Sequence, residues 1–181
     1  CLLSRGLGDV YKRQIEYIAS MNQTHSDVIT FVKSSEVYDS DGIYTEKPKL
    51  GLVVQTADCM PILLSDKKRI GAIHSGWRGL KNNIVGKAIK KFDVKNLSIA
   101  IGPHAQSCCY EVKEDVKKYF NDYTELRDGM FFLNMSKVLK DLSEKEGFQV
   151  EVSSICTICN SSYNSYRENK TTARQFGVIW K

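Results

Sequence analysis

Histidine is scarce in this chain, with three residues in 181. That scarcity excludes a four-copper oxidase centre within one chain, because such a centre draws on about ten imidazoles. No apolar run approaches the roughly 20 residues that span a bilayer. The start of the chain has neither the apolar core nor the cleavage site of a signal peptide. Internal repeats, low-complexity tracts and obvious linkers are also missing, so one domain is expected, with a core that needs no staples at this length. The net charge of +5 is modest. Lysines cluster at 87–95 and 113–118 with no interleaved aromatic stripe, and they read as solvated helix faces. Neither nucleic acid nor membrane is an expected partner, and the oligomeric state is open.

Cysteine is present in an unhelpful arrangement for disulfides. Of the six, Cys108 and Cys109 are adjacent, Cys156 and Cys159 are spaced CxxC, and Cys1 and Cys59 stand apart. A cytoplasmic setting with free thiols or metal ligands suits this set better than a disulfide framework. One CxxC without a second pair is poor support for a zinc ribbon. The 42% hydrophobic and 26% charged content is that of an ordinary globular domain. Residues 1–14, CLLSRGLGDVYKRQ, begin with Cys where a native start would have Met, and they read as a non-native segment. The domain is therefore expected over 15–181, with its natural N-terminus missing.

From residue 15 onward short β-rich runs alternate with amphipathic stretches. Val28–Val32, Gly51–Gln55, Pro61–Leu64, Ile70–His74, Leu97–Ile101, Phe131–Met135, Val150–Val152 and Phe176–Trp180 predict strands. Residues 34–50, with Asp41-Gly42 and Pro48, predict a loop or hairpin. Apolar positions from Leu80 to Phe92 recur at helical spacing, and Val112 to Phe120 repeat the pattern. A third helix is expected to start at Ser136 as N-cap and stop at Gly147. The expected class is a single α/β domain, with sheet order left open.

Several polar residues stand where strands end. His25 precedes a strand, Cys59 lies between two apolar runs, and His74 sits where a strand gives way to a helix. Two imidazoles and a thiolate suit zinc and leave a fourth position open for water or substrate. Spacings of 34 and 15 residues carry little weight alone, and the residue types by themselves favour two ordinary histidines with a buried free Cys. A Cys59–His nucleophilic pair is a further alternative. Gly76 to Gly79 with Arg78 form a helix-start turn suited to an anion, and equally a plain surface turn. Trp77 is core or a stacking face. His104, Arg167 and Arg174 are weaker candidates for substrate contact, and Asp58 and Glu111 for general acid or base.

The segments QTHSD, TADCMPILL, AIHSGWRGL, IGPHAQSCCYEV and NSYRENKTTARQ together resemble the laccase-domain family of zinc-dependent purine nucleoside phosphorylases, over about residues 15–181. The resemblance implies a layered α/β sandwich with mixed sheets, of the cytotoxic-necrotizing-factor-like hydrolase fold. It implies one catalytic Zn²⁺ on His25, Cys59 and His74, with copper only adventitious. The implied activity is phosphorolysis of adenosine, inosine and methylthioadenosine, with adenosine deamination second, so nucleoside and phosphate are the implied partners. Arg78 is the expected phosphate holder, with Gly76 and Gly79 beside it. Departures at His104, Glu168 and Ala173 bear on finer substrate contacts. A Cys59-dependent hydrolase, including one that edits peptidoglycan precursors, and a zinc-stabilised binding module are the alternatives.

Overall fold

Strands that are apolar on both faces mark a sheet covered on both sides. The runs at 60–65 and 70–75 are of this kind, and they lie at the centre of a layered structure. The computed structural model describes Leu2–Leu3 and residues 16–181. Its first half holds β1 (Leu2–Leu3), β2 (Tyr17–Asn22), β3 (Ile29–Phe31), β4 (Val37–Asp39), β5 (Gly42–Thr45), β6 (Leu50–Thr56), β7 (Met60–Ser65) and β8 (Ile70–Ser75), then helices α1 (Trp77–Lys81) and α2 (Ile84–Ile89). After these come β9 (Ser98–Ile101), β10 (Glu111–Val112), α3 (Glu114–Lys117), β11 (Thr124–Arg127), β12 (Met130–Leu133), α4 (Met135–Glu146), β13 (Gln149–Val152), α5 (Tyr166–Asn169) and β14 (Gln175–Ile179). Apart from Leu2–Leu3, which pairs with β14, the expected non-native segment 1–14 lies outside the described residues.

Among the described residues the strands form three sheets: a six-stranded sheet ordered β13-β9-β7-β8-β5-β3, a five-stranded sheet β1-β14-β6-β2-β4, and a small β10-β12-β11 sheet. Parallel pairs (β2–β6, β9–β13, β3–β5) sit among antiparallel ones, so the large sheets are mixed. Leu63, Ala72 and Ile43 point from the six-stranded sheet toward Ala19, Leu52 and Val54 of the five-stranded one. On the opposite face Ile62, Leu64 and Ile73 pack with Ile84, Val85 and Ala88 of α2 and Leu139 of α4. Each fully buried Leu, Ile or Val among these is worth about 1.5–3 kcal/mol. The single-domain α/β sandwich with mixed sheets is thus as expected.

Several boundaries differ from expectation. The stretch 34–50 contributes two strands, one of them the inner strand β5, because Ser40 and Asp41 are buried and hydrogen-bonded within the fold. The single helix expected over 80–92 breaks at Asn83, which adopts φ 59° and caps α2 by accepting from the Gly86 N–H. Val112 belongs to a strand, leaving α3 a single turn. α4 is capped by Asn134, two residues before the expected Ser136, while Gly147 ends it at φ 81° as predicted. β2 and β11 carry no clear sequence alternation.

Candidate metal centre

The turn between β6 and β7 passes from one large sheet to the other, and it carries Asp58 and Cys59. His25 lies in the loop after β2, a parallel neighbour of β6, so both segments emerge at the same edge. His74 is on β8, antiparallel to β7 and aligned with Pro61. This topology brings His25, Cys59 and His74 together, with their ligand atoms all within 4.8 Å of one another. The Cys59 Sγ lies 3.8 Å from His25 Nε2, close to the roughly 3.6 Å edge of a tetrahedral zinc site with S and N ligands.

Asp41 organises this cluster. One carboxylate oxygen accepts from the Thr24 and Ser26 N–H groups and the Ser26 hydroxyl, and the other from the His25 N–H. The second oxygen also lies 2.7 Å from His74 Nδ1. With Nδ1–H donated to a carboxylate, His74 presents Nε2 as its ligand nitrogen, the usual carboxylate–histidine–metal arrangement. Asp41 is fully buried. Its Asp-Gly dipeptide resembles a turn signal, so nothing local in the sequence reveals this role.

The backbone around the cluster is strained where the donors sit. His25 has φ 63° and Asp58 φ 86°, left-handed conformations that cost a non-glycine residue about 1–3 kcal/mol each. Asp41 holds the first in place. Asp58 is held by its own contacts: its carboxylate accepts from Thr157 Oγ1 at 2.8 Å and the Arg167 N–H at 2.7 Å, and its carbonyl accepts from the Ala105 N–H. Gly76 leaves room for the thiolate, since a Cβ there would stand 2.7 Å from Cys59 Sγ and 3.6 Å from His25 Cδ2. Two donors and an oriented third, with a cradle that a methyl would fill, fit a single metal ion.

The charges of the cluster favour a thiolate at Cys59 and a protonated His74, whose proton a bound metal would displace. Burial works against a thiolate at Cys59, yet hydrogen bonds and charge from His25 and His74 bring its pKa down to about 6. Burial likewise opposes charge on His74, but Asp41 and Cys59 outweigh it and raise the value to about 9. At Asp41 burial is overcome by His74 and Ser26, which hold the carboxyl far below its ordinary range.

The three donors stand on the wall of an open cavity of about 930 Å³. Arg78, Arg167 and Arg174 line it, as do Trp77, Tyr110 and Tyr166. Arg78 lies over Trp77, and Arg167 lies over Tyr110 while donating to the Glu111 carbonyl at 2.8 Å. Gly76 and Asp58 also line the cavity, whereas three other sequence candidates fall outside it. His104 is 1% exposed, and its Nδ1 lies 2.8 Å from the Gly102 carbonyl. Gly79 is a packing position, where a Cβ would meet Ser75 and Ile84. The Glu111 side chain is exposed on β10, and only its carbonyl serves the site.

Residues 5–181 match the family described as multi-copper polyphenol oxidoreductase laccase. The chain belongs to that family. A purine nucleoside phosphorylase of Aquifex aeolicus is 36% identical over 163 residues, spanning 87% of this chain and 79% of the relative. One from Clostridium acetobutylicum is 33% identical, spanning 92% and 78%. The crystal structure of the hypothetical protein YfiH of Bacillus licheniformis is similar at a TM-score of 0.82 and 26% identity, covering 90% of this chain and 73% of that one. The copper in the family's description sits poorly with three histidines. Among the described residues no helix is long and apolar enough to cross a membrane.

Proposed function

We propose that this chain is a zinc-dependent purine nucleoside phosphorylase acting on adenosine, inosine and methylthioadenosine, with adenosine deamination as a second activity. One observation carries the reading: a centre of two histidines and a thiolate opens into the same cavity as three arginines and three aromatic rings. Zinc on His25, Cys59 and His74 would supply Lewis acidity beside the reacting groups. Arg78, Arg167 and Arg174 bind phosphate through charge-assisted hydrogen bonds. Trp77 and Tyr166 offer flat faces to the purine. A phosphate oxygen forms a bond to the ribose anomeric carbon as the glycosidic bond breaks. The base leaves with the electron pair and takes up a proton. Asp58 positions Arg167 by accepting its N–H. The relatives' names support the reaction class.

The lowered pKa of Cys59 beside two histidines also favours a second reading, a Cys-dependent hydrolase. Incubation with inosine and phosphate separates the two. Phosphorolysis yields equal amounts of hypoxanthine and ribose 1-phosphate, stops on chelation and returns with zinc. A His25→Ala variant that keeps its activity without metal supports the hydrolase instead. Stoichiometric zinc with no phosphate-dependent turnover overturns the enzyme reading in favour of a binding module.

A further inference from the structure

The second half of the chain holds a group of thiols that the cavity does not use. Strands β9 and β13 are parallel neighbours, so the loops that follow them leave the sheet at the same edge. An isolated bridge between His104 and Cys156 continues that pairing beyond the strands. As a result the Cys108-Cys109 turn meets the Cys156–Cys159 loop, and all four Sγ atoms lie within 4.8 Å of one another. The second pair that the lone CxxC lacks in sequence is thus supplied by the fold.

We propose that Cys108, Cys109, Cys156 and Cys159 form a second, structural zinc site, a tetrathiolate separate from the His25–Cys59–His74 centre. Distance is the first argument. Sulfurs at the corners of a tetrahedral zinc site with bonds near 2.3 Å are about 3.8 Å apart, and Cys108 Sγ lies 3.8 Å from Cys159 Sγ. A disulfide would bring two sulfurs to about 2.05 Å, and a cubane iron–sulfur cluster would push them further apart, each onto its own iron. The second argument is the outer shell. Cys156 Sγ accepts from the Gln106 N–H at 3.4 Å. A backbone donor aimed at one sulfur of a CxxC turn stabilises a metal thiolate and orients it. Cys156 is buried, Cys109 half-buried, and Cys108 and Cys159 exposed, so an ion can enter from solvent.

The site would brace the cavity. Cys109 precedes Tyr110, which lines it, and Thr157 inside the CxxC donates its hydroxyl to Asp58 next to Cys59. A zinc ion here therefore ties together two loops that hold the wall of the other centre. This inference does not depend on the proposed reaction.

The test is zinc quantification and cobalt substitution on the full chain purified under reducing conditions. His25→Ala is expected to keep one zinc per chain. On Co²⁺ loading it should show the intense sulfur-to-cobalt charge-transfer absorption of a tetrathiolate. Adding Cys156→Ser to His25→Ala should abolish both signals. Cys108→Ser, at an exposed position, keeps the fold testable if the buried substitution does not fold. Losing an outer-shell partner already costs about 10- to 100-fold in affinity, so losing this ligand should weaken zinc at least that much. A His25→Ala protein that binds no metal overturns the proposal, as does a Cys108–Cys159 disulfide found by peptide mapping of the reduced preparation.

Discussion

Replacing Asp41 by Asn tests whether one buried carboxylate builds the metal centre. Each oxygen of Asp41 faces donors: one takes the Thr24 and Ser26 N–H groups and the Ser26 hydroxyl, the other the His25 N–H and His74 Nδ1. Whichever oxygen becomes an amide nitrogen then confronts at least two donors. Removing one partner of a buried charged pair costs about 3–5 kcal/mol, a large share of a net stability of about 5–15 kcal/mol. The effect on metal is separate, because the loop bearing His25 and the orientation of His74 are both released. Outer-shell losses of this kind weaken binding about 10- to 100-fold, or about 1.4–2.7 kcal/mol. Zinc competition against a chromophoric chelator at low temperature, with thermal melting in parallel, measures both. A variant that melts lower yet binds zinc at the first centre within about twofold of wild type would refute the role assigned to Asp41.

Three further perturbations probe other parts of the structure. Gly76→Ala removes no ligand, yet its methyl would crowd Cys59 Sγ at 2.7 Å, so zinc at the first centre should fall sharply while far-UV dichroism stays unchanged; full metal content would show that the close approach is immaterial. Leu139→Ala empties a fully buried position of α4 and should cost about 2–5 kcal/mol, read by denaturant unfolding, with zinc stoichiometry intact. At Asp66 burial opposes ionisation, but N–H donors from Asp93, Arg69 and Lys68 outweigh it and lower the pKa below 3.8. Its contribution is therefore present above pH 3.8 and lost as pH falls through the folded-state value. Asp66→Asn should flatten the acid side of the stability curve, and an unchanged slope in acid titrations followed by fluorescence would count against it.

Much of the framework is legible one residue at a time. β7 and β8 announce themselves as apolar runs because both faces of their sheet are covered, and Gly147 stops α4 because its conformation favours glycine. Local pattern fails where a polar residue is buried. The stretch around Ser40 and Asp41 reads as solvated turn, and only its hydrogen bonds to distant loops make β5 an inner strand. The helix over 80–92 keeps its apolar spacing through the break, so the periodicity conceals the Asn83 turn.

The scarcity of histidine, read from the sequence alone, argues against a four-copper centre within these 181 residues and leaves few candidates for an imidazole ligand. By type alone His25, Cys59 and His74 can be singled out there but not brought together, and only the family resemblance assigns them to one ion. Tertiary structure decides the rest, because ligand sets are made by strand order, which has no local code. The β6–β7 crossing between sheets unites the first cluster, and the parallel pairing of β9 with β13 gathers four thiols from turns some fifty residues apart. Asp41 shows the same dependence: its charge is written in the sequence, and its five donors arrive only with the fold.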